Sequence, residues 1–137
     1  AALESLALDL RMPVAEVEPV IRAIALPSLR VLDLSHNTLG AASVLALAST
    51  RLDQLTELAL DATFLPLAAI PLLVEARLPS LRTLRLASNA LGNEVARELA
   101  GWTGAPRLEE LDLRNTQISE DGVRALHESR PELRVLV

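Results

Sequence analysis

Leucine recurs in this chain on a fixed grid, and the grid leaves few ways to fold. Leu29, Leu55, Leu81, Leu108 and Leu133 each open the phrase L-x-x-L, at intervals of 26, 26, 27 and 25 residues. The phrases read "LRVLDLSHN", "LTELALDAT", "LRTLRLASN", "LEELDLRNT" and a last, short "LRVLV". A sixth, "LESLALDL" from Leu3, stands 26 residues before the first, and Leu26, Leu52 and Leu78 extend three phrases backwards. The rest of each unit keeps step too. Two residues beyond Asn37, Thr63, Asn89 and Thr116 stand Leu39, Leu65, Leu91 and Ile118. Seven beyond stand Val44, Ile70, Ala96 and Val123, and ten beyond stand Leu47, Leu73, Leu99 and Leu126.

Two periods are at work. The alternation L-x-L puts both leucines on one face of a short strand. The later apolar positions, three and more apart, suit the inward stripe of a helix. Each unit is therefore expected to be strand, turn and helix, with an apolar side that it cannot bury alone. Stacked units bury it continuously.

The composition agrees with stacked layers. Half of the 137 residues are hydrophobic, almost all Leu, Ala and Val, with one Phe, one Trp and no Tyr. There is no cysteine, so disulfides, thiolate catalysis and cysteine-based metal sites are excluded. All 13 basic residues are Arg, which reads as the codon bias of a GC-rich bacterial genome. The net charge of −5 speaks against nucleic acid as a partner. No apolar run approaches the roughly 20 residues that span a bilayer, so no membrane partner is expected. The chain opens on Ala1 and stops at "PELRVLV" in mid-pattern, which is the expectation for a piece of a longer protein with further repeats or domains.

These phrases resemble the leucine-rich repeat motif, L-x-x-L-x-L-x-x-[N/T]-x-[L/I], over nearly the whole chain. The helix-bearing units are similar to the ribonuclease-inhibitor and cysteine-containing subclasses, with "NTQISEDGVRAL" the closest local match. The resemblance implies an α/β solenoid, a curved arc with parallel strands on its concave face and helices on its convex face. It also implies an intracellular, cytoplasmic setting. On this grid the single domain 1–137 divides into a partial repeat 1–25, repeats 26–51, 52–77, 78–104 and 105–129, and a truncated repeat 130–137. Three departures stand out: Arg11 at the first turn position, Pro71 inside an expected helix, and an extra residue near "GWTG".

The resemblance gives Asn37, Thr63, Asn89 and Thr116 one role, a ladder of turn residues. The asparagine amides would bond neighbouring turns, and the threonines would do so more weakly. That bears on "LDLSHNTLG", where Asp33, Ser35 and His36 could be mistaken for a catalytic set. A triad needs a base oriented by a buried acid and a nucleophile beside an oxyanion hole. Asp33 and Ser35 are expected to point out of the sheet, with no pocket around them, so no enzyme activity is expected. No cofactor and no metal site is expected either, since His36 and His127 lie at opposite ends of the stack. His127 reads as a solvated side chain near a helix C-terminus.

Pro71 predicts a kinked segment from Pro66 to Arg77, or a short helix starting near Pro71. Trp102, in the insertion flanked by Gly101 and Gly104, predicts a plug between helices. Phe64 occupies a slot held by Thr38, Ala90 and Gln117 elsewhere, normally exposed, which makes it a possible contact residue.

The concave positions alternate with the buried leucines. They are Ser5, Ala7, Asp9; Val31, Asp33, Ser35; Glu57, Ala59, Asp61; Thr83, Arg85, Ala87; and Glu110, Asp112, Arg114. Six are acidic and two basic, a surplus of four negative charges where the chain as a whole has five. Arg85 is expected beside Asp112, and Arg114 near Glu110. The strip is the candidate binding surface for a protein partner, through Asp33, Glu57, Asp61, Arg85, Glu110, Asp112 and Arg114, and a basic segment would suit it. The function this supports is non-catalytic protein recognition by a scaffold or sensor segment of a larger protein. Two others stay open: the substrate-recognition arm of a larger enzyme, such as a ligase-type effector, and a structural spacer.

Overall fold

The computed structural model describes residues 4–7, 14–23 and 28–137. Leu3, Asp9, Arg11 and Leu26 lie outside them. Six short strands form one parallel sheet in chain order: β1 (Ser5–Ala7), β2 (Val31–Asp33), β3 (Glu57–Ala59), β4 (Thr83–Arg85), β5 (Glu110–Asp112) and β6 (Arg134–Leu136). Between them come helices α1 (Val14–Ala23), α2 (Ala41–Ser49), α3 (Ile70–Leu73), α4 (Glu94–Ala100) and α5 (Glu120–Ser129). The architecture is the α/β solenoid that the two periods predict.

The register explains the grid. Leu6, Leu32, Leu58, Leu84 and Leu111 stand opposite one another from strand to strand. Leu29, Leu55, Leu81 and Leu108 form a second buried column, and Leu34, Leu60, Leu86 and Leu113 a third. The helix side closes the core with Val44, Leu47, Ile70, Leu73, Ala96, Leu99 and Leu126. Each fully buried leucine contributes about 1.5–3 kcal/mol, and with few aromatics the columns supply most of the stability.

The last phrase departs from the grid. Leu133 and Leu136 read as counterparts of Leu108 and Leu111, yet Val135 is the residue opposite Leu111, and Leu136 faces Asp112. Leu133 still opens its unit from a buried position, its N–H donating to Arg130 O at 3.1 Å as that of Leu108 does to Ala105 O at 3.4 Å. The strand then leaves one residue early, since a straight strand turns Leu133 and Val135 to the same side.

Both irregular units follow their marked residues. Pro71 lies at the start of α3, which is only four residues long and is preceded by a 3-10 turn at Leu67–Ala69. A proline is tolerated in the first turn, where its missing N–H would have no helical partner. In the longer unit α4 ends at Gly101, and Trp102 folds inward to 2% exposure. Its Nε1–H donates to Ala76 O in the preceding repeat at 2.9 Å. The extra residue is accommodated by a side chain that fills the added space.

Candidate functional site

The turn ladder sets the rim of the concave face. Asn89 ties two repeats together. Its Oδ1 accepts the N–H groups of Thr63 and Leu65, at 3.1 and 3.0 Å, from the preceding repeat. Its Nδ2 donates back to Leu60 O at 2.9 Å and Leu86 O at 3.0 Å. Asn37 is equally buried, with Nδ2 donating to Leu34 O at 2.9 Å. The threonines differ from the expected weaker copies. Thr116 Oγ1 donates to Leu113 O at 2.6 Å, inside its own turn, and Thr63 Oγ1 sits 2.9 Å from Leu60 O, with Asn89 Oδ1 at 3.2 Å. At this turn position the shorter threonine hydroxyls bond carbonyls of their own turn, where the Asn89 amide also reaches the backbone of the repeat before.

Turn chemistry also shows in the backbone. His36, Ala62, Ser88 and Asn115, each just before the turn residue, all have positive φ, from 51 to 67°. Where the turn residue is threonine, the next residue is left-handed as well: Phe64 at 49° and Gln117 at 65°. For a bulky L-residue that conformation costs about 1–2 kcal/mol. Phe64 is nonetheless 82% exposed, so no core packing offsets it.

The strand face is more occupied than alternation alone suggests. Ser5, Ala7 and Arg114 are exposed, while Val31, Asp33, Glu57, Asp61, Thr83, Arg85 and Glu110 are half-buried. Ser35, Ala59, Ala87 and Asp112, expected to face outward freely, are buried. Neighbouring strands lie only about 4.8 Å apart, so long side chains cover short ones beside them. Arg85 stands opposite Ala59 in the register, and Asp112 lies under its own Arg114.

The ion pairs also form differently from the expected ones. Arg114 does not reach for Glu110 but grips Asp112 with two bonds, Nε to Oδ1 at 2.9 Å and Nη2 to Oδ2 at 2.7 Å. Arg85 lies opposite Asp112 in register, but its guanidinium turns the other way, to Asp61 Oδ2 at 3.0 Å and Glu57 Oε1 at 3.8 Å. Arg114 already occupies both oxygens of Asp112, which leaves the preceding strand as the better partner.

Sequence reasoning missed a second ladder, two residues before the turn. The N–H of Asp61 donates to Ser35 Oγ at 3.0 Å, and the N–H of Ala87 to Asp61 Oδ1 at 2.9 Å. Ala87 offers no side-chain acceptor for the next layer, and there Arg114 N–H turns to Asp112 Oδ1 at 3.1 Å. Ser35 N–H likewise donates to Asp33 Oδ1 at 2.9 Å. The signal was present in the sequence as Ser or Asp at one repeat position, with Asp two residues earlier elsewhere.

The acids feel one another. Burial raises the pKa of Asp61, Arg85 and the Ala87 N–H oppose that, and Asp112 and Asp33 add to it. Asp112 moves the other way, held down first by its hydrogen bond from Arg114. The same bond raises the Arg114 pKa.

Ser35, His36 and Asp33 do not assemble a triad. Ser35 Oγ is buried and engaged by Asp61, Asp33 bonds a backbone N–H, and His36 is exposed at φ 67°. His127 is exposed near the end of α5 with Nε2 3.2 Å from Leu133 O. None of Asp33, Ser35, His36 and His127 lines either of two surface clefts, one bounded by Arg82, Glu109 and Arg130, the other by Arg51, Glu75 and Arg77. Among the described residues no group of three or more His, Asp and Glu could hold a metal, and no helix is long and apolar enough to cross a membrane.

No curated protein matches the chain. A family model described as "Leucine Rich repeat" matches residues 25–48, 77–100 and 106–126, together half of the sequence. Repeats of this kind generally serve protein–protein recognition. With its six parallel strands, alternating helices and turn ladder, the chain belongs to the leucine-rich repeat family.

Proposed function

We propose that this chain is a non-catalytic recognition module, a scaffold or sensor segment of a larger protein, whose strand face receives a basic segment of a protein partner. One observation carries the reading: five acidic side chains against three basic ones across the described strands, Asp33, Glu57, Asp61, Glu110 and Asp112 against Arg85, Arg114 and Arg134, which stands opposite Glu110 at the last strand. Such a surface steers positive segments towards it and repels negative ones. Asp33, Asp61 and Asp112 are each tied to a backbone N–H. Glu57 and Glu110 lie outside the backbone ladder, Glu57 with only a loose 3.8 Å pairing to Arg85, so these two are the acids best able to answer a partner.

The test is selection of random displayed peptides on the immobilised protein. Retained peptides should carry a surplus of Arg and Lys, and their affinity should fall as salt rises. Glu57→Arg with Glu110→Arg leaves both ladders intact and should abolish that retention. Peptides without a basic surplus, or equal retention by the variant, would refute the reading.

A further inference from the structure

Three of the four large hydrophobic side chains exposed among the described residues lie in two adjacent repeats: Leu45 at 45%, Phe64 at 82% and Leu67 at 37%. Around them charge is missing. Residues 34–50 contain no Asp, Glu or Arg, and neither do residues 62–74. The two segments meet, since α2 packs against both the 3-10 turn and α3. The next two helices, by contrast, are "EVARELA" and "EDGVRALHES", heavily charged. The helix before α2 and α3, α1, is "VAEVEPVIRA", charged as well, so the apolar surface is confined to the units of α2 and α3 between charged neighbours.

Phe64 stands where that surface meets the acidic face, three residues after Asp61 and three before Leu67. Its backbone is left-handed, its ring is in solvent, and its counterpart Gln117 fills the same conformation with a polar side chain. Neither the turn nor the core requires an aromatic there.

We propose that Phe64 is the apolar anchor of the binding surface, and that its partner is a segment amphipathic along its length. The segment is basic where it meets Glu57 and Glu110 on the strand face and apolar where it crosses Phe64 onto Leu67 and Leu45. This rests on the reading of the strand face as a site for basic segments. Charge selects this occupant over others. A second copy would bring the same acidic strip and a net charge of −5 towards its like. An anionic membrane surface would be repelled by the same carboxylates. A basic peptide is attracted by the strip and buries apolar surface beyond it, and aromatic side chains are the usual energetic anchors of such contacts.

The test uses Phe64→Asn, because asparagine tolerates the left-handed conformation and removes the ring. Peptides selected on the wild type should be basic at one end and rich in Leu, Phe or Trp at the other. A synthetic peptide of that pool should lose about tenfold or more in affinity for Phe64→Asn, as expected of an interface anchor, while the variant's Tm is unchanged or raised. Phe64→Leu should restore part of the affinity. Loss of binding with Glu57→Arg and Glu110→Arg, but none with Phe64→Asn, would overturn the anchor and leave the acidic face standing. Selected peptides with no basic surplus, or none retained at all, would overturn both. Self-association in sedimentation equilibrium that Phe64→Asn abolishes would overturn the proposed occupant in favour of a second copy, and binding to phosphatidylserine vesicles abolished by Phe64→Asn would do so in favour of a membrane.

Discussion

The Oδ1 atom of Asp61 accepts the backbone N–H of Ala87, 2.9 Å away and one repeat further along the chain. The N–H of Asp61 is held in turn by Ser35 Oγ from the repeat before. An acid of the binding face is therefore also a fastening between layers. Asp61→Ala should leave the Ala87 N–H without its acceptor and lower stability by about 1–3 kcal/mol. Asp61→Asn keeps an acceptor oxygen and gives up only a partly exposed ion pair, so it should stay within about 1 kcal/mol of the wild type. Urea denaturation of the two variants decides the matter: equal losses would rule out the ladder.

The two central acids should give stability opposite slopes with pH. Asp61 has its pKa raised above the ordinary 3.8, chiefly by burial. It binds its proton more tightly folded than unfolded, so its contribution falls as pH rises from 3.8 through that raised pKa. Asp112 has its pKa lowered below 3.8 by Arg114, so its contribution is complete above 3.8 and is lost as pH falls through the lowered value. Subtracting the stability curve of Asp61→Asn from that of the wild type should isolate the first slope, and Asp112→Asn the second. Two differences of the same sign would contradict the assignment.

Turn residues of one ladder should differ widely in worth. Asn89 bonds backbone groups of both its own repeat and the one before, whereas Thr116 bonds one carbonyl of its own turn. Asn89→Ala orphans several buried groups and should lose about 3–5 kcal/mol, against about 1 kcal/mol for Thr116→Val. Thermal unfolding followed by circular dichroism would show the contrast, and similar losses would mean that the layers do not depend on the amide.

How much of this was readable in advance follows from which interactions are local. The leucine columns were, because period two and the helical stripe express themselves within one unit. Pro71 and Trp102 were legible too, each acting through its own geometry. The burial of Asp112 and Ser35 was not. It depends on side chains elsewhere on the face, such as Arg114 covering Asp112, and on hydrogen bonds to the next layer, such as Ser35 Oγ to Asp61. The slip at Val135 escaped for a related reason: Leu136 fits the L-x-x-L phrase perfectly in sequence, and only strand pairing selects Val135 instead. The left-handed backbone of Phe64 goes with Thr63 in place of asparagine, a link visible only once the turns are compared in space.

Trp102 and Gly104 act on a single atom, and that makes their coupling testable. A Cβ placed on Gly104 would stand 2.0 Å from Ala76 O, the carbonyl that accepts Trp102 Nε1–H. Gly104 O also accepts the Leu78 N–H at 2.8 Å, so backbone holds the glycine on both sides. Gly104→Ala must therefore push the two repeats apart, with a loss of about 3 kcal/mol. Trp102→Phe keeps much of the buried ring but removes the N–H, with an expected loss of about 2 kcal/mol. Once the alanine has displaced the Ala76 carbonyl, the indole bond is already gone. The double variant should then lose less than the sum of the single losses, by at least about 1 kcal/mol. A double-mutant cycle in urea measures that difference, and losses that add within about 0.5 kcal/mol would show that the two residues act independently.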